Sequence, residues 1–273
     1  MYSISKVEKK GCGIFKHKKF NTNDNREKII NNLLESSQVG INLIIAISNS
    51  GKTTYLKNML DSIIEPFRKK KDNSLYNRIK DKEIFFFFIT TTYKIDPKIT
   101  KIIDDLENIK HPIVNVMIYD KFTDKEYNEI NELLEGTEKD EEFDFPQNII
   151  IFDDARQYLK SKNLSILATK FRHHQALCFL SCHDFKDTPK NVRDNSFYIT
   201  LYKNISDDRL REIHSTFIHS IKDFELFNDI YNNYLSEKKE GNKGDFIFID
   251  VEKQKIYKNN EYLIEIKEKD EEI

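Results

Sequence analysis

Residues 41–64 constrain the fold more than any other stretch of the chain. The segment begins with Ile41-Asn42-Leu43-Ile44-Ile45-Ala46-Ile47, a nearly continuous apolar run. It breaks at Ser48-Asn49-Ser50-Gly51, and from Lys52-Thr53-Thr54 it continues as an amphipathic helical stretch to about residue 64. Successive side chains of a strand point to opposite faces, so such a run needs apolar cover on both sides. A strand, a short polar loop and a helix in that order predict a sheet sandwiched between helices.

The rest of the chain repeats the pattern. Strands are expected at residues 83–91, 113–119, 148–152, 176–181 and 197–201. Helices are expected at 97–106, at 124–134 behind a cap at Thr123 or Asp124, and at 164–171. Alternation of this kind predicts an α/β fold with a mainly parallel sheet flanked by helices. The ends differ from this core. Residues 1–25 are polar, with Gly11 and Gly13 flanking Cys12, and suggest an arm or an irregular first strand; 26–36 has helical spacing. Residues 207–234 suggest two helices, 237–244 a polar linker, and 245–251 with 256–257 a late hairpin before the charged tail 267–273. The expected organisation is an N-terminal arm and helix (1–36), a core (37–205), and a C-terminal helical and hairpin extension (206–273).

Composition narrows the setting. The 44 basic and 46 acidic residues leave a net charge of -2, so there is no overall basic footprint for nucleic acid, although a local stripe needs none. Three cysteines, Cys12, Cys178 and Cys182, form no disulfide framework. The polar, basic N-terminus lacks the apolar core of a signal peptide, and Phe85-Phe86-Phe87-Phe88-Ile89, the strongest apolar run, is strand length. The expected place of action is intracellular, without a membrane partner and not secreted.

The segment Ala46-Ile47-Ser48-Asn49-Ser50-Gly51-Lys52-Thr53 carries the chemistry. It fits the phosphate-binding pattern G-x-x-x-x-G-K-[ST] except that Ala46 stands for the first Gly. In such a loop, backbone N–H groups of Ser48, Asn49, Ser50, Gly51, Lys52, Thr53 and Thr54 converge on phosphates at a helix N-terminus. Gly51 allows close backbone approach, Lys52 places a compact positive charge on the β- and γ-phosphates, and the Thr53 hydroxyl can ligate Mg²⁺. The expected ligand is therefore ATP with Mg²⁺. Ala46 costs little if its φ is negative and more if it is positive.

The second half of the site is Asn148-Ile149-Ile150-Ile151-Phe152-Asp153-Asp154, an apolar strand ending in two carboxylates, the Walker B pattern. Asp153 would hold Mg²⁺ through its water shell. Asp154 would polarise the attacking water, one methylene shorter than the Glu of many such ATPases. The separation from Lys52 suits the additional-strand class of P-loop ATPases, in which the two site-bearing strands are not neighbours. His183 ends the next strand after Ser181 and Cys182, where a polar group would sense the γ-phosphate. Arg172, before His173-His174, is a candidate cation for the γ-phosphate, with Arg193 and Arg156 as alternatives; a surface arginine is the plain reading of each. Cys178 and Cys182 share one strand face without a second ligand pair, which favours core cysteines over zinc. The basic cluster Arg68-Lys69-Lys70-Lys71 suits a solvated connector more than a DNA contact.

The order of these motifs resembles the genome-packaging ATPases of poxviruses, other large DNA viruses and virophages, within the FtsK–HerA group. The likeness spans residues 41–251. It rests on Ser50-Gly51-Lys52-Thr53, the strand Val116-Met117-Ile118-Tyr119-Asp120 before an acidic helix, Ile151-Phe152-Asp153-Asp154, Phe171-Arg172-His173-His174, and Pro189-Lys190-Asn191-Val192-Arg193-Asp194-Asn195. The last two segments are the discriminating ones. His183 stands where the family commonly has Gln. The resemblance implies a motor that translocates double-stranded DNA into a capsid, as a homo-oligomeric ring of roughly five or six subunits. It also implies a capsid or vertex partner, and work in the host cytoplasm or viral factory with association to the virion. The competing reading is a nucleotide-dependent switch or assembly protein that moves no DNA. A kinase would want an Arg-rich lid, and none is found; a GTPase would want an Asn-Lys-x-Asp motif placed after a strand, and none is placed so here.

Overall fold

The computed structural model describes residues 14–19, 40–69, 81–109, 113–137, 146–171, 173–235, 244–259 and 262–267. Cys12, the helical stretch at 26–36, Lys70, Lys71, the acidic segment 138–144, Arg172 and most of the 237–244 linker lie outside these residues.

The strands are β1 (Ile14–Lys19), β2 (Gly40–Ile45), β3 (Glu83–Thr90), β4 (Ile113–Tyr119), β5 (Asn148–Asp153), β6 (Ala176–Cys182), β7 (Ser196–Tyr202), β8 (Phe246–Asp250), β9 (Lys255–Lys258) and β10 (Tyr262–Lys267). The helices are α1 (Lys52–Lys69), α2 (Pro97–Glu107), α3 (Asp124–Gly136), α4 (Lys162–Lys170), α5 (Lys190–Asp194), α6 (Asp207–Phe217) and α7 (Phe224–Tyr234). One sheet contains all ten strands, in the order β1-β10-β9-β8-β7-β2-β6-β5-β3-β4. From β7 to β4 every neighbouring pair is parallel. The C-terminal hairpin joins the same sheet, because β8 pairs antiparallel with β7, and β9, β10 and β1 continue outward in the same manner.

The apolar runs explain the layering. In β3, Phe86 and Phe88 face α1 and α2, while Phe87 and Ile89 face the opposite core. β2 and β5 divide likewise: Ile44, Ile149 and Ile151 lie on the first side, and Ile41, Leu43, Ile45, Ile150 and Phe152 on the second. The first layer is closed by Leu56, Leu60, Ile63 and Ile64 of α1 with Ile99, Ile102 and Leu106 of α2. The second is closed by side chains of α3, α4, α6 and α7, among them Leu134, Leu167, Ile213 and Phe227. Local signals set the helix starts. Asp96 accepts a hydrogen bond from Lys98 N at 2.8 Å ahead of Pro97, Ser161 accepts from Leu164 N at 3.1 Å, and Thr123 forms a capping box with Glu126. β2 starts at Gly40 because the Phe197 ring occupies the space a side chain would need.

Asn42 interrupts an otherwise apolar strand for a reason. Its Nδ2 donates to Tyr55 Oη at 3.3 Å, and Thr200 Oγ1 lies 3.1 Å from the same hydroxyl and 3.4 Å from Asn42 Oδ1. This buried triad pins α1 to β2 and β7 directly behind the loop at residues 46–51. A buried polar group left without a partner incurs its full desolvation penalty. Tyr55→Phe should therefore lower unfolding stability by about 1–2 kcal/mol, read from the midpoint of a urea titration; an unchanged midpoint would show that the triad does not anchor the helix.

Candidate active site

In parallel sheets ligands bind at the carboxyl ends of the strands, and three of them converge here: β2, β6 and β5. β6 lies between β2 and β5, so the two site halves are separated by one strand, while β3 and β4 lie beyond β5. The loop after β2 starts with Ala46, whose N–H donates to Cys182 O of β6 at 3.1 Å. Ala46 is fully buried and is not among the residues with positive φ. Its methyl group joins the core on the α1 side, so Ala replaces Gly at this position without backbone strain. The left-handed positions are Asn49 (φ 62°) and Gly51 (φ 108°), which turn the loop back on itself. Beneath it, Tyr202 Oη donates to Gly51 O at 3.4 Å.

Lys52 opens α1 and folds over its own loop, donating from Nζ to Ala46 O at 2.7 Å and Ile47 O at 3.0 Å. Burial pushes its pKa down, against the pull of Cys182, Asp153 and Asp154. Thr53 Oγ1 donates to Asp153 Oδ2 at 3.2 Å and thereby joins the two halves of the site. Asp153 is only 3% exposed and forms no salt bridge among the described residues. Burial raises its pKa, and Thr53 and the nearby Ser181 partly oppose this. Ser181 Oγ itself is buried without a hydrogen bond of ordinary geometry. A buried carboxylate without a cation, facing a hydroxyl across a cleft, is a donor set that fits a divalent metal. Asp154 follows at φ 50°, a left-handed conformation unusual for a non-glycine residue and typical of strained functional positions.

The cleft, of about 240 Å³, is lined by Ser48, Asn49, Lys52, Asp153, Asp154, Arg156, Ser181 and His183. Ser48 Oγ lies 3.4 Å from His183 Nδ1. Burial first, and then the Lys52 charge, lower the His183 pKa. Ser50 and Thr54 lie just outside the lining, and Thr54 Oγ1 accepts from Lys98 Nζ at 2.8 Å. Arg193 packs elsewhere, with its guanidinium 4.4 Å from the centre of the Phe185 ring and NH1 donating to Phe185 O at 3.5 Å. Cys178 and Cys182 are buried in the core, and burial pushes both thiols up. Sequence reasoning missed Asp187, whose carboxylate accepts from His183 N, Asp184 N and Arg156. The capping-box spacing of Asp184 and Asp187 was the signal available for it.

The sequence profile of the poxvirus A32 protein family matches residues 27–231. The chain belongs to that family. Among solved structures, the DNA-packaging ATPase B204 of Sulfolobus turreted icosahedral virus shares the fold at a TM-score of 0.53 and 14% identity, covering 82% of this chain and 98% of that one. The genome packaging NTPase B204 of Sulfolobus turreted icosahedral virus 2, in complex with ATP-γS, aligns at 0.50 and 15% identity, covering 81% and 96%. The AMP complex of the same NTPase aligns at 0.51 and 14%, covering 81% and 97%. No curated protein matches the chain significantly.

Asp153 carries a stability consequence. Its burial cost is absent below the pKa of the unfolded carboxyl, grows as the pH rises from there to the raised folded pKa, and is fully present above it. Without metal, Asp153→Asn should raise the Tm by roughly 2–6 °C at neutral pH, with the gain shrinking in acid. Thermal denaturation in a chelator checks this, and a lower Tm at neutral pH would show that the carboxylate is already compensated.

Proposed function

We infer that this chain is an ATP-hydrolysing motor that drives double-stranded DNA into a viral capsid. The observation that carries the ATPase reading is the contact between Thr53 at the helix start and Asp153 at the end of β5, with Lys52 and Asp154 on the same cleft. Membership in the poxvirus A32 protein family supports the packaging role, as does the fold shared with the viral packaging ATPase B204, whose complex with ATP-γS is a nucleotide complex of that protein.

The chain's own groups divide the work. Backbone N–H groups of Ser48, Asn49, Ser50 and Gly51 take the phosphates, and Lys52 exchanges its two loop carbonyls for β- and γ-phosphate oxygens. Thr53 and Asp153 would hold Mg²⁺, which supplies charge neutralisation at those phosphates. Asp154 accepts a proton from water as the water oxygen attacks the γ-phosphorus; the bond from that phosphorus to the β-phosphate oxygen breaks, and ADP leaves with the electron pair. Because Asp154 is shorter than Glu, its left-handed backbone helps bring the carboxylate to the water. His183, kept neutral by burial and by Lys52, contacts the γ-phosphate as a hydrogen-bonding group, paired with Ser48. Arg172 completes the site across a subunit interface of a ring, and Arg193 supports the loop that carries His183. The motor works inside the infected cell, at the capsid vertex.

Steady-state hydrolysis with and without double-stranded DNA tests the reading. The motor requires DNA to stimulate turnover, whereas tight ATP binding with turnover indifferent to DNA would indicate a nucleotide switch. Lys52→Ala should abolish hydrolysis; wild-type turnover in that variant would remove the phosphate-site assignment. Arg172→Ala should cut turnover roughly a thousandfold while sparing affinity. Mixing it with Asp154→Asn should restore part of the activity if Arg172 acts in trans; no rescue would mean that Arg172 acts within its own subunit or that Arg193 or Arg156 is the arginine finger instead.

A further inference from the structure

Three groups at the mouth of the cleft are tied to a single carboxylate. Asp187 closes the 3-10 turn Phe185–Asp187 and is 5% exposed. Its Oδ2 accepts from Asp184 N at 2.9 Å and His183 N at 3.3 Å, and its Oδ1 accepts from Arg156 NH2 at 3.3 Å. Arg156 lies two residues beyond Asp154, in the 3-10 turn Arg156–Tyr158, and lines the cleft beside Lys52, Asp154 and His183. Its side chain is 64% exposed. The same turn is braced from outside, since Asp184 Oδ1 accepts from Lys186 N and Arg209 Nε, both at 2.9 Å, and Arg209 NH1 reaches Glu212 at 3.1 Å.

Only the Arg156 end of the pair is exposed, whereas Asp187 is buried and already holds two backbone donors, so the guanidinium is not its sole partner. The placement of the pair has a chemical reason. Asp187 is buried and fixed by two backbone donors, so its outward oxygen is a rigid post rather than a mobile surface charge. A guanidinium has five N–H donors in a planar fork. Arg156 contacts Asp187 through NH2 and also lines the cleft with Lys52, Asp154 and His183, so its other donors can serve negative charge that develops there. On the loop side of the cleft the cation is Lys52, whose Nζ is held by Ala46 O and Ile47 O. Arg156 adds a cation from the β5 side of the same subunit.

We propose that Asp187 is a positioning residue that sets Arg156, as a cis-acting phosphate cation, and the His183 tip in one fixed arrangement over the γ-phosphate. The inference rests on the ATPase reading above and differs from the trans contribution assigned to Arg172. Asp187→Asn keeps an acceptor for the two backbone N–H groups but presents an amide N–H₂ to Arg156, so it uncouples the arginine while sparing the turn.

The test is a double-mutant cycle in the full chain with DNA present, reading kcat and ATP affinity separately. Arg156→Ala removes an exposed guanidinium and leaves Asp187 its two backbone donors; it should lower kcat roughly a hundredfold with affinity nearly unchanged. Asp187→Asn should lower kcat about tenfold, and the double variant should be no slower than Arg156→Ala alone, because Asp187 acts through Arg156. Arg156→Lys should recover only part of the loss, since an ammonium lacks the fork. Additive losses in the double variant would overturn the positioning role. Wild-type kcat in Arg156→Ala would overturn the whole proposal, even if Asp187→Asn failed to fold. Lys52→Ala run in parallel separates the two levels: turnover lost there but intact in Arg156→Ala refutes this inference alone, whereas turnover retained in Lys52→Ala refutes the ATPase reading beneath it.

Discussion

The hydrogen bond from Thr53 to Asp153 is the constraint on which the rest of the molecule depends. Thr53 starts the helix that follows β2 and Asp153 ends β5, two strands that are not neighbours, so the distance between them is set by β6. Ile45 pairs with Cys182 on one side of β6, and Phe152 pairs with Leu180 on the other. A register slip of one residue in either ladder would turn the apolar residues of a strand to the opposite layer. Filled cores on both faces forbid that slip, and so the same side chains that stabilise the sheet fix the spacing of the site. The Asn42–Tyr55–Thr200 triad adds a directional tie that places the start of α1 over the end of β2.

Electrostatics at the site work against the empty protein. Asp153 is a buried carboxylate whose burial favours its neutral form, and Lys52 is an ammonium partly removed from water whose burial does the same. Each finds a provisional partner: Asp153 a neutral hydroxyl, Lys52 two carbonyls of its own loop. Neither partner matches the charge of the group it serves. A magnesium nucleotide would bring the missing charges of both signs, so its binding would relieve costs already present in the fold. Strain points the same way, since Asp154 and Asn49 hold left-handed conformations at the cleft where neighbouring strand residues do not.

Much of this was legible in the sequence, and the reasons are physical. Continuous apolar strands such as Ile149–Phe152 announce burial on both faces, and Gly51-Lys52-Thr53 and Asp153-Asp154 lie at their carboxyl ends, where an α/β sheet places ligands. The position of β6 between the halves followed from the same class of fold. β10 was less visible, because the short run Tyr262–Lys267 lies beside a highly charged tail, and its partner β1 is separated from it by nearly the whole chain. Pairing over such a distance leaves no local signature. Ala46 could be weighed only once its backbone was known, and the arginines only once their neighbours were: Arg156 on the cleft, Arg193 on Phe185. Asp187 looked like an ordinary turn residue because its importance lies in which three groups share its carboxylate.

If Thr53 and Asp153 form one metal–nucleotide site, ATP affinity must depend on magnesium through both residues together. Isothermal titration of ATP into the full chain, in Mg²⁺ and then in chelator, measures this directly for wild type, Thr53→Ala and Asp153→Asn. The account predicts strong magnesium dependence in the wild type and little in either variant. Wild-type affinity that is the same with and without magnesium would contradict it.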